Sequence, residues 1–292
     1  MEYIKASKLI HKMSGGEGWF GATHNMNIYK GCNQGCIYCD SRSSCYQIKE
    51  FDRVKVKQDA PLKIESELKN KRTKCVISMG GMSDPYNHLE EDVGYTRKAL
   101  QSILKYDHGV SIITKNIRIL RDLDILKEIN QNNPVSIGIT ITTGDNRLQS
   151  RIERNISSTN DRFKAIATMR EYGLFAGILM MPLLPFINDS IENITSIVEQ
   201  AHQANAKYIY PSFGVTLRDN QRLYFFEKIG PELTKKYIDT FGESYVCDSP
   251  NQKELKKHFI TLCEKYGILY KMKDIVEGTK NHVKKQQLTF DL

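Results

Sequence analysis

Three cysteines crowd into one short segment near the N-terminus. Cys32, Cys36 and Cys39 stand in the sequence YKGCNQGCIYCDS, residues 29–41, with the spacing C-x3-C-x2-C. A structural zinc site usually takes four ligands and disulfides need pairs, so three thiols leave one position open. Three thiolates can hold three corners of a cubane [4Fe–4S] cluster. Because an open metal position binds exogenous ligands, the spacing predicts a reactive site rather than a purely structural one.

Three other interpretations of these cysteines stay open at this point. A zinc site could recruit Cys45 or His24 as its fourth ligand, although the spacing to Cys45 is unusual. An electron-transfer cluster could take a fourth cysteine from elsewhere in the chain. Buried free thiols are common, but three of them within one short loop are rare. These alternatives describe a non-catalytic iron–sulfur or zinc module for binding or redox work.

The composition of the whole chain limits the class of protein. Of its 292 residues, 40% are hydrophobic and 26% charged, as in ordinary globular proteins. Seven cysteines, an odd number, argue against a secreted disulfide framework, and the N-terminal sequence does not resemble a secretory signal. Because no run of about 18 apolar residues occurs, we expect no membrane span and a cytoplasmic location. The formal net charge of +8 is compatible with a nucleic-acid partner.

Short β-rich segments alternate with amphipathic segments. We predict six strands, within residues 25–31, 74–81, 109–115, 135–142, 174–185 and 206–213, and helices between them, such as 89–105 and 160–172. This alternation indicates a parallel sheet, either doubly wound or a complete or partial barrel. Function is then expected at the carboxyl ends of the strands. The cysteines lie there, as do polar residues of later strands: Ser83, Asp84, Lys115, Thr142 and Thr143.

We divide the chain into three segments. Residues 1–24 are an N-terminal segment, residues 25–217 the α/β core and residues 218–292 a charged extension. Within the extension, residues 218–270 are expected to form helices packed on the core. Residues 277–292 are polar and basic, and we expect this tail to be partly flexible.

The cysteine spacing, with Tyr38 directly before the third cysteine and a strand before the loop, resembles the radical S-adenosylmethionine (radical SAM) superfamily. The resemblance implies a partial (β/α)6 TIM-type barrel of parallel strands with C-terminal helices. It also implies a [4Fe–4S] cluster on Cys32, Cys36 and Cys39, with S-adenosylmethionine on the remaining iron. In that family the reduced cluster cleaves S-adenosylmethionine to a 5′-deoxyadenosyl radical, which takes a hydrogen atom from the substrate. The electron comes from an external donor, flavodoxin- or ferredoxin-like.

A second segment resembles the spore photoproduct lyase-like branch of this superfamily. It reads SMGGMSDPYNHLEE, residues 78–91, and is followed by the ITK of residues 113–115 and by the Thr-rich segment 139–155. In that branch, Ser, Asp and Lys at these strand ends contact S-adenosylmethionine. The glycine pair resembles the element that approaches the methionine amino group. The resemblance implies these cofactor-binding residues: Tyr38, Gly80, Gly81, Ser83, Asp84, Lys115, Thr142 and Arg154.

One departure from that branch concerns the hydrogen donor. The lyase has a cysteine two residues before the Ser-Asp pair, and the matching position here is Gly81. We therefore expect a relative that generates the same 5′-deoxyadenosyl radical but acts on a different substrate. DNA is the leading expectation for that substrate, and RNA or a peptide are the alternatives. Tyr210, in the sixth predicted strand, is the candidate catalytic residue, since it could stack a base or relay a hydrogen atom.

Overall fold

The computed structural model describes residues 1–14 and 18–290, with side chains up to residue 283. Its strands are β1 (Glu2–Ile4), β2 (Ile10–Lys12), β3 (His24–Met26), β4 (Tyr29–Lys30), β5 (Lys55–Lys57), β6 (Val76–Met79), β7 (Gly109–Thr114), β8 (Val135–Thr140), β9 (Phe175–Met180), β10 (Ile209–Pro211), β11 (Gly214–Thr216) and β12 (Val246–Asp248). Its α-helices are α1 (Ala60–Lys69), α2 (Glu90–Val93), α3 (Tyr95–Lys105), α4 (Leu123–Asn132), α5 (Asn146–Ile152), α6 (Thr159–Glu171), α7 (Ile191–Gln203), α8 (Asp219–Ile229), α9 (Pro231–Phe241), α10 (Gln252–Tyr266) and α11 (Met272–Phe290).

Seven strands form the central sheet, in the order β10-β9-β8-β7-β6-β3-β2. All neighbours pair in parallel except β2 with β3. The sheet thus contains six parallel strands that alternate with helices, and its linear order leaves it open. This arrangement confirms the predicted partial barrel. Because parallel strands end at one edge, the loops that follow β3, β6, β7 and β8 meet there.

The core follows from strands that are apolar on both faces. All six residues of β8 and of β9 are buried, as expected for parallel strands covered on both sides. Ile112, Ile137 and Ile178 of neighbouring strands are fully buried. Helical side chains such as Leu126 and Ile166 belong to the same core. The sheet is therefore a rigid base for the loops at its carboxyl edge.

Two predicted elements are divided in the structure. The first strand ends at Met26, and β4 pairs instead with β5 in a small separate sheet, so the chain turns before it reaches the cysteines. The helix predicted over 89–105 is two helices, because Gly94 adopts a left-handed conformation with φ +60° between α2 and α3.

The C-terminal part is helical, as predicted, but it contains two features that the sequence did not indicate. Strands β11 and β12 pair antiparallel beyond the end of the sheet. The tail that the sequence predicted to be partly flexible is helical as far as Phe290, where α11 ends, and residues 291–292 lie outside the described residues. Ile275, Thr279 and Val283 give this helix a buried face with a spacing of four. No helix in the described part of the chain is long and apolar enough to cross a membrane.

Candidate functional site

The three cysteines line one cavity at the carboxyl edge of the sheet. Its volume is about 110 Å³, several times the roughly 15 Å³ that a single water needs on the same measure. The cysteine loop forms one wall. The loop after β6 and the ends of β7 and β8 form the others, through residues such as Ser83, Lys115 and Thr140. We call this space the cluster cavity.

Backbone contacts at both ends fix the cysteine loop. Gly31, with φ +85°, starts the turn, and a Cβ there would lie 2.7 Å from the carbonyl oxygen of Phe51. The Cys32 N–H donates to that same carbonyl at 2.8 Å. At the far end, the Ile37 N–H donates to the carbonyl of Ile152 at 3.0 Å. The loop is thereby held with its cysteines facing the cavity.

The buried environment of the three thiols favours their neutral, protonated form. Burial, with added repulsion from Asp84 and Cys39, raises the pKa of Cys32 to about 11. Burial also raises the pKa of Cys36 and of Cys39, although Lys115 opposes this effect at both. Three thiolates are therefore costly here unless a bound metal group ionises them, as an iron–sulfur cluster does.

The residues that a zinc site would recruit lie elsewhere. Cys45 is exposed, beside the hydroxyl of Ser43. His24, on β3, contacts the Thr23 hydroxyl at 3.0 Å, and neither it nor Cys45 lines the cluster cavity. Within the described residues, no three His, Cys, Asp or Glu side chains are gathered at one ion-sized point. The cysteines are spread around a larger cavity, which suits a multi-atom cluster.

Two polar side chains in the cavity wall have an atom without a partner. Ser83 and Gln34 are 7% and 4% exposed, and both line the cavity. Neither Ser83 Oγ nor Gln34 Nε2 has a hydrogen-bond partner among the described residues. Because a buried unpartnered polar group costs about 1–3 kcal/mol, the cavity is prepared for a polar ligand. The ammonium, carboxylate and ribose groups of S-adenosylmethionine fit this requirement. Sequence reasoning missed Gln34, although its position inside the cysteine loop was a usable signal.

Asp84 ties two strand ends together. One carboxylate oxygen accepts from the Tyr86 N–H at 2.8 Å and the Thr114 hydroxyl at 2.7 Å. The other accepts from the Lys115 N–H at 2.9 Å. Asp84 therefore joins the end of β6 to the end of β7 and positions Lys115 at the cavity. Its predicted contact with the cofactor stays a prediction.

The adjacent glycines have different local environments. Gly80 has φ +100°, and a Cβ there would collide with the carbonyl oxygen of Ile113, so the position requires glycine. At Gly81, an added Cβ would have no described heavy atom within 4 Å. Gly80 thus lets two strand ends approach closely, whereas Gly81 borders open space in the cavity.

A buried chain of hydrogen-bonded polar groups begins at Tyr38, the residue directly before the third cysteine. The Tyr38 hydroxyl donates to Glu153, and the other oxygen of Glu153 pairs with Arg162 at 2.7 Å. Glu153 and Arg162 are both fully buried. Arg162 also donates to the carbonyl of Thr140 at 2.8 Å, which connects the chain to the end of β8. Lys115 Nζ lies 5.7 Å from the centre of the Tyr38 ring.

Three predicted site residues lie away from the cluster cavity. Arg154 is exposed and lines a neighbouring groove, because Glu153 takes the buried position. Thr142 lies beyond the end of β8, where its carbonyl accepts from Asn188 at 2.7 Å, and Thr140 lines the cavity instead. Tyr210 packs edge-on against Trp19, with ring centres 5.5 Å apart. None of these three residues lines the cluster cavity, and their predicted roles stay predictions.

A larger cavity of about 380 Å³ adjoins the cluster cavity. The two share lining residues, among them Cys39, Gly81 and Lys115. Aromatic side chains of Trp19, Tyr38 and Tyr46 contribute to its wall. We call it the outer cavity. Its position beside the cluster cavity is where a second molecule could meet a ligand bound there.

Comparison with known proteins identifies the family. Residues 26–197, more than half of the chain, match the family described as the radical SAM superfamily. The chain belongs to the radical SAM superfamily. It is therefore an enzyme of the class that uses a [4Fe–4S] cluster and S-adenosylmethionine, and the predicted family, enzyme class and cofactors are confirmed.

Related sequences come from cellular organisms and from a virus. An uncharacterised protein of Mycobacterium bovis is 25% identical over 84% of this chain and 75% of its own length. An uncharacterised protein of Methanocaldococcus jannaschii is 33% identical over 58% of this chain and 63% of its own. A radical SAM Nalpha-GlyT isomerase of Pseudomonas phage M6 is 21% identical over 73% of this chain and 44% of that protein.

The solved structures show the predicted likeness to spore photoproduct lyase in the fold. A point mutant of that enzyme has a TM-score of 0.65 over 90% of this chain and 78% of its own. The lyase complexed with dinucleoside spore photoproduct has a TM-score of 0.61 over 84% of this chain and 74% of its own. Sequence identity is 14% in both cases, so the likeness concerns the fold.

Proposed function

We propose that this radical SAM enzyme takes a hydrogen atom from a nucleotide of DNA held in the outer cavity. One observation carries the proposal. The three cysteines and the unpartnered Ser83 and Gln34 line one cavity that adjoins a second, larger one. A cofactor in the first cavity and a substrate in the second would then be neighbours.

The residues of this chain would divide the work as follows. Cys32, Cys36 and Cys39 would hold the cluster, which with S-adenosylmethionine supplies a 5′-deoxyadenosyl radical after one-electron reduction. Lys115 suits the carboxylate of the methionine part, because its pKa stays raised: desolvation lowers it, but Cys36, Glu153, Cys39 and Asp84 outweigh that effect. Ser83 and Gln34 would hydrogen-bond the polar groups of the same ligand.

The nature of the outer cavity supports a nucleotide substrate. Trp19 and Tyr46 in its wall offer aromatic surfaces on which a base can stack. The formal net charge of +8 favours association with a polyanion. A protein of the same fold has been solved with a dinucleoside photoproduct. Gly81 carries no thiol, so we propose a reaction other than photoproduct cleavage.

Two experiments test the proposal. Protein reconstituted without oxygen should bind about four irons and release 5′-deoxyadenosine when reduced with dithionite in the presence of S-adenosylmethionine. Cys36→Ala should abolish both properties, whereas Cys45→Ala, which changes an exposed cysteine outside the cavity, should keep them. Retention of 5′-deoxyadenosine formation by Cys36→Ala would contradict the ligand assignment.

The substrate is tested by isotope transfer. Deuterated DNA oligonucleotides should yield 5′-deoxyadenosine that is one mass unit heavier, because the radical takes deuterium from the substrate. Deuterated RNA and a deuterated peptide mixture are the matched alternatives. Transfer from RNA or peptide with none from DNA would replace DNA as the substrate and leave the radical chemistry intact.

A further inference from the structure

A groove lies on the other side of the cysteine loop from the two cavities. We call it the loop groove and define it by Ile37, Arg151, Arg154, Phe186, Lys228 and Ile229. Its volume is about 280 Å³. It shares no lining residue with the cluster cavity or the outer cavity. The loop groove is therefore a separate surface feature.

The side chains of the cysteine loop alternate between these spaces. Cys36 lines the cluster cavity and Tyr38 the outer cavity, whereas Ile37 between them lines the loop groove. Ile37, which lines the groove, directly follows Cys36 in the chain and lies two residues before Cys39. A protein seated in the groove would reach the cluster through this loop, without entering the cavities that cofactor and substrate need.

The groove has an apolar floor and a positively charged rim. Ile37, Phe186 and Ile229 supply the apolar surface. Every charged residue that the described structure places in the lining is cationic: Arg151, Arg154 and Lys228. Arg151 and Arg154 are exposed, and neither has an ion pair within the described residues.

One lining cation already has an acidic neighbour. Lys228 forms an ion pair with Glu227 at 2.7 Å, and the Glu227 side chain is the more exposed of the two. Lys236 on α9 adds another positive charge, with its ammonium 4.2 Å from the centre of the Phe186 ring. The net character of the groove stays cationic, and a complementary surface would be acidic with an apolar centre.

We infer that the loop groove docks a small acidic one-electron carrier protein that reduces the cluster. The inference rests on the proposed function, because cleavage of S-adenosylmethionine needs one electron. The carrier is oxidised by one electron, the cluster is reduced by one, and no bond forms between the two proteins. Weak redox encounters use small interfaces in which charge directs association, as this groove would provide. DNA is less suitable here, since phosphate contacts use the cations and leave the apolar floor uncovered.

The test reverses two charges of the groove, one on α5 and one on α8. Arg151→Glu/Lys228→Glu should raise the dissociation constant for an acidic flavodoxin about tenfold or more. Oxygen-free titration at low salt measures this change. The control Lys256→Glu/Lys257→Glu on α10 makes the same change in net charge at exposed positions outside the groove. It should stay within about twofold of the unmodified protein. Dithionite-driven formation of 5′-deoxyadenosine should be unchanged in both variants.

Each outcome separates the inference from the proposed function. Equal flavodoxin affinity in the groove variant and the control would overturn the docking site. Loss of affinity for a DNA oligonucleotide with flavodoxin binding retained would overturn it too, in favour of a nucleic-acid surface. Failure of the unmodified protein to form 5′-deoxyadenosine with dithionite would count against the proposed function, while the difference in flavodoxin affinity between the two variants would still test the docking site. If the double variant folds poorly, Arg151→Gln supplies the same comparison at an exposed position.

Discussion

The cluster cavity and the loop groove lie on opposite sides of one loop, yet they are built in opposite ways. Polar groups in and behind the cavity wall are buried and fixed by hydrogen bonds: Asp84 joins the ends of β6 and β7, and Glu153 pairs with Arg162 of α6. The groove presents exposed cations on an apolar floor. The sheet therefore holds the reactive centre rigid, while added helices supply a surface with exposed cations that can meet a partner. Substitutions of the hydrogen-bonded groups around the cavity should cost stability, and substitutions at the rim of the groove should not.

The largest expected effect is the loss of Glu153. Glu153→Ala leaves Arg162 charged and fully buried without its partner. The free energy of unfolding should fall by about 3–5 kcal/mol, measured by urea denaturation of the cofactor-free protein. Glu227→Ala, which removes an exposed carboxylate paired with Lys228, is the control and should cost less than about 1 kcal/mol. Similar losses in the two variants would remove the contrast between wall and rim.

The neighbouring glycines give a comparison inside the cavity wall. Gly80→Ala should destabilise the protein by about 2 kcal/mol or more, because the residue has positive φ and its Cβ would meet the Ile113 carbonyl. Gly81→Ala adds the same methyl group where there is space, so the melting temperature should stay unchanged. Thermal unfolding of both variants measures the difference. A fold that tolerates both substitutions equally would show that the strand ends are not held as tightly as the structure indicates.

Loss of the Asp84 clamp should have a somewhat smaller effect. Asp84→Ala leaves the Thr114 hydroxyl and the Lys115 N–H without their acceptor and should cost about 2 kcal/mol. Since it also frees the ends of β6 and β7, amide hydrogen exchange should rise at Lys115. Asp92→Ala, at an exposed position in α2, should leave both measurements unchanged. Exchange that stays slow at Lys115 would indicate that the clamp is dispensable.

The sequence predicted the scaffold well, because strand and helix periods and cysteine spacing are local signals. Six strands and a cysteine loop at their carboxyl edge follow from such patterns. The partners of single side chains do not, since they depend on how a loop turns. Arg154 and Glu153 are adjacent, and a difference of one position decides which is buried against Tyr38. Similarly, the end of β8 places Thr140 rather than Thr142 in the cavity wall.

Long-range pairings also escaped prediction. Strands β11 and β12 are three residues each and pair across about thirty intervening residues, a contact that no local period encodes. Ile275, Thr279 and Val283 recur every four residues in α11, a spacing that indicates one face of a helix. The basic composition of the segment, however, suggested a flexible tail. Tyr210 belongs to an aromatic cluster with Trp19 and Phe20, which come from the distant N-terminal segment.

The smallest expected change in stability comes from the two unpartnered groups of the cluster cavity, Ser83 and Gln34. Ser83→Ala and Gln34→Leu each remove a buried polar atom that lacks a partner in the described structure. The cofactor-free protein should keep its stability or gain up to about 1 kcal/mol. Affinity for S-adenosylmethionine in the reconstituted protein should fall about tenfold, since each variant loses one hydrogen bond to the ligand.

The matched control for this pair is Ser102→Ala. Ser102 is also buried, but its hydroxyl donates to the Lys98 carbonyl within α3, away from the cavity. This variant should lose up to about 1 kcal/mol of stability and keep its affinity for S-adenosylmethionine. Calorimetric unfolding and anaerobic ligand titration together separate the two cases. If Ser83→Ala destabilises the cofactor-free protein as Ser102→Ala does and binds S-adenosylmethionine normally, the Ser83 hydroxyl serves the fold. Ser83 would then not be a ligand-binding group of the cluster cavity. The cavity wall and the exposed cations of the loop groove would differ less in how their polar groups are used.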